Sequence, residues 1–255
     1  MFKLFGKKEK EHMPKRMWHN EQLTDKERSI YKDAFNQITG EDFIQIQKER
    51  LTPYLKSLGF KGSKNNFYKH NSPWIHVIQI FKDHYGGSCA LNVGVHLDYI
   101  ENQLGNLIVP SKFRLEDAMI DKNIEMDNGN GWYYYGLTHE EGCETIDIMI
   151  DAFERKGIPF LEKYESYPHP FSDITFDDIL NPSERFLEYE IPLRLLKSPH
   201  FRMFLAKVNM DIDKKELAIK ILEKVRNDEY YSSRFIKPGC SPLIQTIDSL
   251  LDKFR

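Results

Sequence analysis

Cysteine is scarce: Cys89, Cys143 and Cys240 are the three in 255 residues, and no C-x-x-C pair is among them. An odd, sparse, widely spaced set excludes a disulfide framework and a zinc site built on paired thiolates, and it predicts reduced thiols. Cys89 and Cys143 fall on apolar faces and are expected to be structural thiols; Cys240, in a Pro-Gly-Cys-Ser-Pro turn, is expected to be exposed. Long apolar runs are missing too. No stretch approaches the roughly 18–20 apolar residues of a membrane span, and no apolar segment with a small-residue cleavage site stands near the first residue. The expected location is therefore the cytoplasm, with no transmembrane segment. Neither charge is in large excess. The balance of 36 basic against 39 acidic residues argues against general nucleic-acid binding.

Reaction signatures are also lacking. The chain contains no G-x-x-x-x-G-K-S/T, no G-x-G-x-x-G after a strand, no H-E-x-x-H and no G-x-S-x-G. Asp127-Asn128-Gly129-Asn130-Gly131 has the composition of a calcium loop without its ligand alternation or closing Glu, and reads as a flexible turn. Neither a cofactor nor a metal is expected.

What is present is periodicity. In the run Ser88 to Ile100, Cys89, Leu91, Val93, Val95, Leu97 and Tyr99 point one way, and Ser88, Asn92, Gly94, His96 and Asp98 the other. A period of two over this length predicts a strand with one buried and one wet face. Asn66 to His70, Trp74 to Lys82 and Trp132 to Tyr135 read as further strands, joined in part by the turns Asn71-Ser72-Pro73 and Tyr85-Gly86-Gly87. Residues 102–130 read as an irregular excursion.

Helices bracket this sheet. Thr24-Asp25-Lys26-Glu27 and Thr138 to Glu141 are capping boxes. The first precedes a stripe through Ile30, Phe35 and Ile38 ended by Gly40. The second precedes Ile146, Met149 and Phe153, with a stop at Gly157-Ile158-Pro159. A further helix from Asp42 to Leu58 is expected to kink or break at Pro53. Beyond the loop around Pro168 and Pro170 the chain reads as helical, from Ser198-Pro199, from Asp213, and from Pro242 to Phe254. The expected fold class is α+β: an antiparallel sheet of about four strands with helices on one face, and a helical C-terminal extension. The expected divisions are a flexible basic arm (1–22), an α+β domain (23–167) and a helical subdomain (168–255).

Candidate chemistry concentrates on the polar side of the long strand. His96 and Asp98, two residues apart, share a face and suit proton transfer, with His76 of the neighbouring strand joining them if the register allows. Two ligands are too few for a transition-metal site. Asn92 and Gln79 are binding candidates as amides on a sheet. Trp132 and Tyr134 are binding candidates as a stacking platform, although nothing basic is interleaved with them. Charge is uneven as well. Residues 1–17 hold six bases against two acids, and residues 139–190 hold fourteen acids against four bases. An acidic block of that kind suits a basic partner, whose approach complementary potential accelerates.

The runs Leu58-Gly59-Phe60, Phe67-Tyr68, Val77-Ile78-Gln79 and Leu91-Asn92-Val93-Gly94-Val95 together resemble an uncharacterised bacterial domain-of-unknown-function family, of the type numbered 4304, over roughly residues 42–165. The resemblance implies a small α+β domain and no assigned activity, so no catalytic residue is carried over. Three functions remain open. The first is a non-enzymatic cytoplasmic protein-binding module, in its most concrete form an immunity- or antitoxin-like inhibitor of a basic partner. The second is an enzyme using His96 and Asp98 with His76. The third is a membrane-peripheral protein making weak surface contact through Phe2, Leu4, Phe5 and the basic arm. The sequence does not specify an oligomeric state.

Overall fold

The computed structural model describes residues 38–84, 86–102, 106–136, 138–181, 185–232 and 242–255. The basic arm, the helix expected from Thr24 and Cys240 lie outside them. Thr39 opens the first described helix, α1 (Gly40–Glu49), with a capping box: its hydroxyl accepts from the Asp42 N–H while the Asp42 carboxylate accepts from the Thr39 N–H. Gly40 thus begins a helix. The single helix expected up to Leu58 divides at Arg50, and α2 (Leu51–Ser57) carries Pro53 in its first turn, where a proline needs no N–H. Gly59, at φ +86°, then turns the chain into the sheet.

The sheet is antiparallel throughout and has six strands, more than the four expected. They are β1 (Lys61–Ser63), β2 (Asn66–Asn71), β3 (Trp74–Lys82), β4 (Ser88–Leu97), β5 (Ile120–Asn123) and β6 (Tyr133–Tyr134). Spatial order follows β1-β2-β3-β4-β5, with β6 also pairing β4. The additions, β1 and β5, are three and four residues long, too short to show a period of two. β5 also lies inside the stretch read as irregular, and only pairing with β4 makes it a strand.

One face of β3 and β4 carries Trp74, Ile78, Ile80, Leu91, Val93, Val95 and Leu97 into a core that runs from Ile38 to Phe254. Helix α3 (His139–Ala152) packs there, its Thr138 cap accepting from the Glu141 N–H. Gly157 and Pro159 do not stop the helix as expected. A π turn at Phe153–Gly157 leads into α4 (Ile158–Glu162), with Pro159 in its first turn. The chain continues through α5 (Phe176–Leu180), α6 (Arg185–Glu188), α7 (Leu193–Leu196), α8 (Pro199–Asp211), α9 (Lys215–Ser232) and α10 (Pro242–Phe254). Phe201, Phe204, Leu205 and Val208 of α8 and Ile221, Leu222 and Val225 of α9 join the same core.

The other face of β4 is not wet. Every residue from Ser88 to Leu97 is buried. The excursion folds back over this face and places Ile108, Phe113, Leu115 and Ala118 against Ile75 and Val77, forming a second, smaller core. Gly94 makes room for it: a Cβ there would lie 2.7 Å from the Ala118 Cβ and 3.0 Å from the Leu115 Cδ1.

Candidate functional site

The strand register decides which candidates meet. His76 pairs with Val95, whereas His96 pairs with Ile75, so the two imidazoles lie on opposite faces of the sheet. His96 is fully buried. Its Nδ1 donates to the Leu97 carbonyl at 2.8 Å, and its ring lies edge-on to Phe113 of the cover and Phe204 of α8. Asp98, beyond the end of β4, accepts instead from His70 Nε2 at 2.7 Å. The expected His96–Asp98–His76 group therefore does not form: register puts His76 on the other face, and Asp98 bonds to His70 while His96 bonds to the Leu97 carbonyl. Burial holds the pKa of His76 down at about 4, with Lys69 adding to the shift. Burial lowers that of His96 against the opposing pull of its bond to Leu97. Burial also pushes the Cys89 thiol up to about 12, as suits a structural cysteine. Among the described residues, no three His, Cys, Asp or Glu side chains are grouped to hold a metal.

The amides belong to a row. Asn66, Gln79, Asn92 and Asn123 stand opposite one another across β2, β3, β4 and β5. The Gln79 Oε1 accepts from the Leu115 N–H at 2.8 Å, and Asn66 Nδ2 donates to the Phe113 carbonyl at 3.0 Å. Asn123 Nδ2 donates to Asn92 Oδ1 at 3.0 Å. Gln79 and Asn66 fasten the cover to the sheet. Asn66 and Asn123 escaped the sequence reading because only register aligns them with Gln79 and Asn92.

The aromatic candidates have a different environment. Trp132 and Tyr134 are 42% and 44% exposed, and Phe81 is 38% exposed. The intervening Tyr133 and the following Tyr135 are buried, Tyr135 stacking on Phe43 at 4.1 Å. The alternation thus holds Trp132, just before β6, and Tyr134, within it, outward on the same side. The turn before them is braced and not loose. Asn128 and Asn130 side chains accept from the backbone at Asn130 and Trp132, and Asp127 accepts from Arg155 at 2.8 Å. Burial raises the Tyr134 pKa, with an Asn130 side-chain bond opposing the shift and Asp83 assisting it.

Helix α3 abuts this strand, its Thr145 hydroxyl donating to the Tyr134 carbonyl at 2.7 Å. Glu140, Glu144, Asp147 and Asp151 recur along α3 at spacings of four and three, so they share one side of the helix, and all four are exposed. Arg50 pairs with Asp147 and Arg155 with Asp151, both at 2.5 Å. Glu144 is in no ion pair among the described residues, whereas Asp147 and Asp151 each face an arginine. The arrangement is an exposed aromatic pair beside a carboxylate-bearing helix.

The molecule is thus an α+β protein that exposes Trp132 and Tyr134 on the strand abutted by α3. Comparison places its central part: residues 51–163 match the model of a family described as Domain of unknown function (DUF4304). That span covers the strands and α3, and it contains the motifs between Leu58 and Val95 on which the resemblance rested. No curated protein and no solved structure matches the chain. Among the described residues, no helix is long and apolar enough to cross a membrane.

Proposed function

We propose that the chain is a protein-binding module that takes a basic partner on the surface formed by β6 and the N-terminal half of α3. The observation that carries this reading is the outward Trp132–Tyr134 pair on the segment that α3, a helix with exposed carboxylates at Glu140 and Glu144, abuts through Thr145. Aromatic side chains supply large contact area at low entropic cost and are enriched among residues that dominate binding energy. Their faces also attract Arg and Lys, and the adjacent carboxylates steer such groups inward. An inhibitor of a basic protein, of immunity or antitoxin type and acting in the cytoplasm, is the most specific form of this proposal. The enzymatic alternative has no supporting geometry, since His96 is sealed, His76 lies on the opposite face of the sheet and Asp98 is engaged by His70. Membrane contact through the basic arm concerns residues outside those described.

The test is affinity capture from the native cell extract at low and moderate salt, with Trp132→Ala and Glu144→Lys as parallel baits. A stoichiometric basic protein, lost at higher salt and lost by both variants, supports the reading. Capture that survives both substitutions overturns it.

A further inference from the structure

Helix α3 opens with two metal-ligating side chains on one side of its first two turns. His139 is its first residue and Cys143 stands four further on, a spacing that stacks them along a single face. The imidazole is exposed and the thiol half-buried. The Cys143 Sγ and the His139 Nδ1 are 3.6 Å apart. Between a neutral thiol and imidazole that contact is a weak S–H···N bond. The same separation has a second meaning. Zinc holds a thiolate sulfur at about 2.3 Å and an imidazole nitrogen at about 2.0–2.1 Å, and at the tetrahedral angle those bonds set the two donors about 3.6 Å apart. The pair is thus spaced as two corners of a zinc tetrahedron.

The surroundings favour a cation. Asp42 has its pKa held down mainly by its bonds to Thr39, and Glu140 mainly by bonds to its own backbone and to Thr138. The His139 charge lowers both further, so two carboxylates lie within its influence. Carboxylates around a ligating histidine orient its ring and raise its basicity. Arg50 also interacts with the thiol, but its guanidinium is bound to Asp147 at 2.5 Å, which meets its charge.

One chain supplies only two ligands. Among the described residues no third His, Cys, Asp or Glu joins them in a group fit to hold a metal, and structural zinc takes four donors. A two-fold axis beside α3 provides the other two, because an isologous contact brings the same patch of both copies together. Two thiolates then neutralise the ion, and a set of two thiolates and two imidazoles suits zinc over magnesium or calcium. The same approach brings together the acidic faces of two α3 helices, and like charges repel. That repulsion keeps the chains apart until a metal offsets it.

We infer that His139 and Cys143 bind a zinc ion shared with a second copy of this chain, in a site that neither copy completes alone. His139 coordinates through Nδ1 as a neutral imidazole. Each Cys143 thiol gives its proton to solvent as its sulfur takes the metal, so two protons leave for each ion bound. The inference does not rest on the protein-binding reading, although the second copy occupies part of the α3 surface assigned there to a partner.

Sedimentation velocity of the untagged full chain, in a non-thiol reductant and with or without zinc, tests it. The expected result is a monomer without zinc and a dimer with it, at one zinc per two chains, reversed by a chelator. Cobalt(II) in place of zinc should show thiolate charge-transfer bands and tetrahedral ligand-field bands, which read the donor set directly. His139→Ala and Cys143→Ser should each lose the dimer and the cobalt bands while keeping the circular dichroism of the native chain. If Cys143→Ser fails to fold, His139→Ala and the cobalt spectrum of the native chain decide the matter. Zinc bound without dimerisation, a dimer that forms without zinc, a cobalt spectrum lacking thiolate bands, or binding indifferent to His139→Ala overturns the inference.

Discussion

The two faces of the central strands are built on different principles. Toward the helices, β3 and β4 present a broad apolar surface that joins a core spanning the whole described chain, with His76 and Cys89 as buried titratable residues of those strands. Toward the cover, the same strands present Gln79, Asn92, Gly94 and His96, and the apolar cluster there is confined to a handful of side chains around Phe113. Burial is close to complete on both sides, yet its origin differs. The helical face stays dry because apolar area is withdrawn from water, a non-directional effect proportional to area. The cover stays in place through directed bonds from Asn66 and Gln79 and through the space left at Gly94. A large core tolerates adjustment, whereas a small one depends on a few exact contacts.

Three experiments sharpen this contrast. The largest effect is expected on the helical side: Leu91→Ala should cost about 2–5 kcal/mol of global stability, the range for a buried leucine, as a fall in urea midpoint with unchanged slope. A loss confined to the cover in hydrogen exchange would show that the two cores are less separate than described.

The next involves acid. His76 has its pKa lowered from 6.5 to about 4 by burial, so the unfolded chain binds a proton that the folded chain refuses. Its contribution to stability is complete above about pH 6.5 and is lost as the pH falls toward 4, a change on the order of 3–4 kcal/mol. His96 acts in the same direction from the other face. Urea titrations across this window should steepen for the native chain and flatten for His76→Leu. If His96→Leu flattens them instead, the cover side controls acid sensitivity.

The smallest and most local effect is expected at Gly94→Ala. The added methyl meets Ala118, Leu115 and Val77 within 3.2 Å, and overpacking of this kind costs about 1–3 kcal/mol. Faster amide exchange at residues 107–119, with α3 unchanged, is the expected signature. Equal acceleration in α3 would mean that cover and helices open together.

Much of this architecture was legible in the chain. The alternation from Cys89 to Leu97 identified the central strand, Thr138 located the start of α3, Pro53 announced the break between α1 and α2, and Pro199 marked the first turn of α8. Each rests on chemistry within a few residues. The candidate site was legible in part: Trp132, Tyr134, Gln79 and Asn92 were singled out as residue types, but their grouping was not. His96 and Asp98 looked like a pair because two residues apart on a strand means a shared face, and the sequence holds no sign that α8 and the cover would seal one while His70 engaged the other.

By itself, then, the sequence determined the α+β class, the positions of the main helices and strands, and the acidity of the segment containing α3, since all of these follow from local propensity, periodicity and composition. Tertiary structure alone decided that the polar face of β4 is buried and that the amides of four strands fall in one row. Those outcomes depend on register and on where a long excursion folds back, and both are set by contacts between residues far apart in the chain, whose energies no local pattern records.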